Sequence, residues 1–202
     1  MKQRKVEIIK KWAAHEGFFR LDKYRLRHSL FRGGMSREMS RELFERGHAV
    51  AMLPYDPVRD ELILLEQFRI GAIHDPDTPW LTEIVAGMIG EGECATEVVR
   101  REAMEEAGCE VGELIPISRY YVSPGGTSET IELYCGIVDV ERVTAGIYGL
   151  DEENEDICVF KVAFHEAVAW LDSGRINSAA PIIALQWLMI NRDRLRQRHQ
   201  SQ

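Results

Sequence analysis

From His48 onward, short apolar runs alternate with polar breaks in a pattern that predicts a mixed α and β domain. HAVAMLPYD (48–56), ELILLEQFR (61–69) and TEIVAGM (82–88) have the length and apolar content of strands. Two of them are near-continuously apolar, as in strands covered on both faces. Further strands are predicted around Leu114–Val122, Thr130–Val138 and Ile157–Val162, and helices over about His165–Asp172 and Ala180–Arg196. In the last helix Ile183, Leu185, Leu188, Met189 and Ile190 make a broad apolar face suited to core packing.

Residues 1–46 read differently. FFRLDKYRLRHSLF (18–31) alternates apolar and polar positions over part of its length, which predicts a strand followed by a turn at Gly33–Gly34. A second extended segment runs through Glu38–Glu45. Two or three strands cannot build a core alone. They must pack on the main domain or on another subunit, so a homodimer is expected, with residues 1–46 as a dimerising β-sheet and 47–202 as the main domain.

Composition narrows the field. The chain has 202 residues, enough for one good core with an appendage, and a hydrophobic fraction of 45%, ordinary for a globular protein. Its net charge of −8 argues against a general nucleic-acid binder but not against a nucleotide substrate, since bound cations can reverse a local field. Cys94, Cys109, Cys135 and Cys158 show no CxxC pair and no metal-type spacing, which fits free thiols in a reducing compartment. The N-terminus is basic without the apolar run of a secretion signal. The best membrane candidate, Ile182–Ile190, is too short and carries Gln186. A soluble, cytoplasmic protein is expected, with six scattered histidines in structural roles.

The most informative chemistry lies in GMIGEGECATEVVRREAMEEAGC, residues 87–109. Glu102, Glu105 and Glu106 stand at helical spacings of three and four, so they share an arc of about 100° on one helix face. Carboxylates this close repel one another, and hard divalent cations such as Mg²⁺ relieve that repulsion while also taking phosphate oxygens. Gly90 and Gly92 mark the turn before the helix, and Gly108 is placed to end it. Val99, Ala103 and Ala107 form an apolar stripe beside the acidic face. Arg101, four residues from both Glu97 and Glu105, reads as a tether for the carboxylates. Glu93 reads as orienting the loop or Arg101. Ligation of metal by Glu102 and Glu106 is expected, whereas for Glu105 ligation and a solvent-facing role both remain open.

The stretch fits G-x5-E-x7-R-E-U-x-E-E-x-G-U, with Ala103 and Cys109 small at two places that usually hold larger aliphatics. With each fixed residue type at roughly 7% frequency, seven matches by chance are on the order of one in a million for such a chain. It resembles the signature of the Nudix hydrolases. GFF at Gly17, RELFERGHAV, EQFRI, SPGGTSE (123–129) and GLDEENED (149–156) extend the resemblance over nearly the whole chain, to the bacterial ADP-ribose pyrophosphatase branch of that family.

The resemblance implies an α/β/α sandwich with a mixed sheet, plus a small N-terminal antiparallel β-sheet that exchanges between subunits of a homodimer. It implies hydrolysis of ADP-ribose to AMP and ribose 5-phosphate with Mg²⁺, two or three ions per site, for which Mn²⁺ could substitute. The metal set would be Glu102, Glu106, Glu155 and the Ala86 carbonyl, with Glu105 a further candidate, and Glu153 would be the general base. Phe18 and Phe19 would stack on adenine near Arg41 and Glu42, supplied by the partner if the sheets exchange. Arg46 and Arg69 would grip phosphates through their forked guanidinium groups. Met88 would touch the ligand. Ser123, Pro124 and Gly125 would line its ribose or phosphate end, in a segment whose Pro-Gly order also predicts a plain type II turn. Glu129 would bind a sugar hydroxyl. A surface loop is the ordinary reading of the acidic run at 151–156. Two alternatives stand beside this one: a Nudix diphosphatase for another nucleotide sugar such as GDP-mannose, and a catalytically silent nucleotide sensor.

Overall fold

A computed structural model of the chain describes residues 4–150, 152 and 154–200. They form two compact units, Met1–His48 with Tyr121–Thr130, and Ala49–Tyr120 with Ile131–Gln202.

In the first unit three antiparallel strands, β1 (Val6–Glu16), β2 (Arg20–His28) and β3 (Met39–Glu45), pair in the order β1-β2-β3. Sequence alternation does not predict β1. Its ladder slips between Ile8 and Lys10 and again between Ala13 and His15, and each bulge resets the period-two pattern. The turn between β2 and β3 falls where the glycine pair predicts it: Gly33 and Gly34 take φ of 94° and 76°, a left-handed backbone that suits glycine. Phe44 bridges Thr127 in parallel, and its amide donates to the Gly126 carbonyl at 2.8 Å, so residues 126–127 run alongside β3. Among described residues 4–46 the only buried side chain is Asp22, held by Lys11 at 2.9 Å and Arg20 at 2.9 Å.

The second unit contains the mixed sheet. Its strands are β4 (His48–Asp56), β5 (Glu61–Phe68), β6 (Trp80–Glu83), β7 (Val85–Ile89), β8 (Leu114–Tyr121), β9 (Thr130–Ile137), β10 (Gly146–Tyr148) and β11 (Ile157–Ala163). The order is β10-β11-β5-β4-β9-β8, with β6 also on β5 and β7 also on β4. β4 runs parallel to β9, whereas β5 is antiparallel to β4, β6 and β11. Side-chain alternation divides β4 and β5 between two cores. Val50, Met52, Ile63 and Leu65 face a cluster with Val98, Val99, Ala103 and Ala107 of helix α1 (Ala95–Ala107). Ala51, Leu53, Leu62 and Leu64 face Ala167 of α2 (Phe164–Ser173) and Ala184, Leu185 and Leu188 of α3 (Ala179–Gln200). Helices thus cover both faces of the sheet, the α/β/α sandwich expected.

The expected strand at 82–88 is two strands, because β6 pairs with β5 and β7 with β4 on either side of Ile84. Asp60, in the β4–β5 turn, accepts from the Tyr55 hydroxyl at 2.8 Å and pairs with Arg196 at 2.8 Å and with Arg192. This ties α3 to the hairpin.

Candidate active site

Helix α1 is oriented by its apolar stripe. Val98, Val99, Ala103 and Ala107 are buried in the core, and Glu102 and Glu106 lie on the flank of that same buried face, towards β7. Gly108 ends the helix at φ 55°, and the amides of Gly108 and Cys109 cap the carbonyls of Met104 and Ala103.

Glu106 is only 3% exposed, and its carboxylate accepts the Ala86 amide at 3.0 Å. Burial pushes its pKa from the ordinary 4.5 up to about 8. The Ala86 hydrogen bond and the charge of Arg69 oppose that rise, while the negative charges of Glu102 and Glu155 add to it. Glu102, Glu155 and Arg69 are therefore near enough to act on one buried group.

Glu102 lies against the backbone of β7. A Cβ on Gly87 would stand 2.3 Å from its Cγ, so only glycine lets this carboxylate lie there. Arg101 pairs with Glu102 at 3.2 Å, with Glu105 at 3.2 Å and with Glu93 at 3.8 Å; among the described residues no ion pair joins it to Glu97. Glu93 also accepts the Gly90 amide at 2.7 Å, so it holds both the loop and the tether.

Glu155 accepts the Leu150 amide at 3.4 Å, and its own amide donates to the Leu150 carbonyl at 3.2 Å. Gly149, at φ 106°, permits this closure, because a Cβ there would fall 2.9 Å from the Glu155 carbonyl oxygen. Glu153 lies outside the described residues. Ala86 and the exposed Met88 are on β7, and Arg69 follows β5 with its Nε bonded to Glu83 at 2.8 Å.

The first unit contains the remaining expected residues. Phe18 and Phe19 meet edge to face at 4.7 Å, and Phe19 meets Phe44 at 5.2 Å. Phe18 is 97% exposed. The Arg46 guanidinium lies 5.3 Å from the Phe19 ring centre, and its Nε is 3.5 Å from the buried Glu129. Arg41 and Glu42 are neighbours in β3 and so point to opposite faces, Glu42 towards Lys23 at 3.1 Å. The turn at Ser123–Gly126 is not type II. The amides of Gly126 and Thr127 both reach the Ser123 carbonyl at 3.0 Å, and Gly125 lacks the positive φ that a type II turn requires.

Among the described residues no three His, Cys, Asp or Glu side chains form a ready-made metal cage. The donor set nonetheless suits a hard divalent cation. A buried carboxyl is kept from ionising by burial and two like charges, and an oxygen-loving ion removes that penalty.

The NUDIX domain profile matches residues 45–185. The chain belongs to the Nudix family. Nudix hydrolases generally use a divalent metal such as Mg²⁺. The chain is 52% identical over 191 residues to the ADP-ribose pyrophosphatase of Escherichia coli (strain K12), spanning 95% of this chain and 91% of that one. To the Haemophilus influenzae ADP-ribose pyrophosphatase it is 43% identical over 198 residues, 96% and 91% of the two chains. A GDP-mannose pyrophosphatase of Enterobacter sp. is 30% identical over 189 residues, 93% and 96%. A solved structure of an ADP compounds hydrolase superposes with a TM-score of 0.71 at 20% identity, over 95% of this chain and 97% of that one, and so shares the Nudix fold.

Sequence reasoning passes over Gln67, Glu83 and Gly149. Only Gly149, at the edge of the acidic run, carried a local signal; Gln67 and Arg69 both meet Glu83 through the β5–β6 pairing.

Proposed function

We propose that this Nudix hydrolase cleaves the diphosphate of ADP-ribose, giving AMP and ribose 5-phosphate. The observation that carries the chemistry is Glu106, a buried carboxyl raised by its surroundings and flanked by Glu102 and Glu155. Glu102, Glu106, Glu155 and the Ala86 carbonyl would hold Mg²⁺, with Glu105 a further candidate and two or three ions per site; Mn²⁺ is the natural substitute. Bound there, the metal neutralises phosphate charge and lowers the pKa of the attacking water.

The chain's own groups do the rest. Arg101 fixes the spacing of the carboxylates, the Ala86 amide holds one Glu106 oxygen, and Arg69 grips a phosphate through its guanidinium fork. Glu153 takes the proton of the attacking water. Phe18 and Phe19 offer faces for adenine stacking, with Arg41, Glu42 and Arg46 as polar partners. Glu129 and the Ser123-Pro124-Gly125 turn serve the ribose end, and Met88 packs on the ligand.

Residues 1–46 are assigned to a dimerising sheet and 47–202 to the hydrolase domain. Val6, Ile8 and Ile9 of β1 are exposed, which favours a homodimer with exchanged sheets, so Phe18, Phe19, Arg41 and Glu42 would serve the second copy. Four free cysteines and the lack, among the described residues, of any helix long and apolar enough to cross a membrane favour the cytoplasm.

The choice of ADP-ribose over GDP-mannose rests on identities of 52% and 43% against 30%. Comparing kcat/KM for the two substrates with Mg²⁺ tests it. ADP-ribose is expected to win by about a hundredfold or more, the discrimination available to a site that hydrogen-bonds one base and not the other. Equal values, or a preference for GDP-mannose, would defeat the assignment.

A further inference from the structure

Glu83, the last residue of β6, has no part in the chemistry above, yet it is the residue that Arg69 touches. Its side chain is 16% exposed and its Oε2 accepts two donors, Arg69 Nε at 2.8 Å and Gln67 Nε2 at 3.3 Å. Gln67 is itself buried. Strand pairing brings the three together. Glu83 stands opposite Leu65 in the antiparallel β5–β6 ladder, and Leu65 belongs to the core against α1. Gln67 and Arg69 follow at intervals of two, and the Arg69 amide still bonds the Pro79 carbonyl at 2.9 Å with extended backbone, so the alternation persists to Arg69. Leu65, Gln67, Arg69 and Glu83 therefore share the α1 face of the sheet.

The atoms used are informative. Glu83 engages Nε, one corner of the guanidinium, whose terminal nitrogens carry four further donors. An arginine side chain has many rotamers, and a carboxylate that fixes its Nε in advance removes disorder that a ligand would otherwise have to remove. Gln67 fixes the carboxylate in turn. We propose that Glu83, braced by Gln67, is a positioning residue that presets Arg69 for the substrate diphosphate. This rests on the reading of Arg69 as a phosphate-gripping residue.

Steady-state kinetics on the full-length protein with ADP-ribose and Mg²⁺ would compare Glu83→Ala, Glu83→Gln, Gln67→Leu, Arg69→Ala and the Glu83→Ala/Arg69→Ala double variant. Glu83→Ala is expected to raise KM about tenfold with kcat within about threefold, the pattern of lost preorganisation. Glu83→Gln, whose amide oxygen still accepts from Nε, recovers most of that loss. Gln67→Leu raises KM about threefold in a side chain suited to burial, and keeps the proposal testable if Glu83→Ala fails to fold. In the Arg69→Ala background, Glu83→Ala adds nothing. An unchanged KM in Glu83→Ala and Gln67→Leu, or additive losses in the double variant, would overturn the proposal. An Arg69→Ala variant with wild-type kinetics would instead remove the premise, and is distinguishable because it needs no change at Glu83.

Discussion

At Glu106 a carboxyl is 3% exposed and lies within the field of Glu102 and Glu155, and burial lifts its pKa to about 8. In the unfolded chain the same group titrates near 4.5. Its folded-state pKa is thus raised, so its contribution to stability in metal-free protein is complete below about pH 4.5 and is lost as the pH climbs towards 8. Binding a cation requires the ionised form, so Mg²⁺ affinity should rise over the same interval. Thermal melts in EDTA and in Mg²⁺ from pH 5 to about 8.5 check both signs: the Mg²⁺-induced rise in Tm should grow with pH, and Glu106→Gln should flatten that trend. A stabilisation by Mg²⁺ that is independent of pH in the native sequence would contradict this account of Glu106.

Among elements, the approach of α1 to β7 decides where the carboxylates stand. Gly87 is the contact point, since an added Cβ would lie 2.3 Å from Cγ of Glu102. Gly87→Ala is expected to push Glu102 aside and to lower kcat/KM about a hundredfold, with Tm shifted by only a few degrees because the apolar face of α1 is untouched. Kinetics beside a melt on the same preparation would separate the two effects.

The carboxylate face and its Arg101 tether were legible in the sequence because they stand at fixed helical offsets, whereas the contact of Gly87 with Glu102 was not; β4, β5, β8, β9, β11, α2 and α3, whose apolar runs are long, were legible too. Other elements carry weaker signals. β1 is broken by two bulges, β10 has three residues, and β6 and β7 abut at Ile84 with no polar break. The turn at Ser123 shows that Pro-Gly permits a type II turn without imposing one, since glycine also accepts the negative φ found there. The Gln67–Glu83–Arg69 contact was invisible because it depends on strand register, which local pattern does not encode.

For the whole molecule, the three-stranded sheet poses a stability problem. Among described residues 4–46 no apolar side chain is buried, while Val6, Ile8 and Ile9 of β1 are exposed, Ile8 to 58%. Apolar surface of this kind, on a sheet without a core of its own, would be covered by the second copy in the proposed homodimer. Light scattering at micromolar concentration should give twice the 23.1 kDa chain mass, and a monomer at all concentrations would contradict the exchanged-sheet reading.

The central claim, metal-dependent cleavage of ADP-ribose at its diphosphate, is tested most directly by product analysis. Wild-type protein and Glu106→Gln would each be incubated with ADP-ribose in Mg²⁺ and in EDTA, and the products separated. The account predicts AMP and ribose 5-phosphate in equal amounts from the wild type in Mg²⁺ alone, with turnover by Glu106→Gln lower by about a thousandfold or more. Equal turnover by the variant, equal turnover in EDTA, or products other than AMP and ribose 5-phosphate would contradict it.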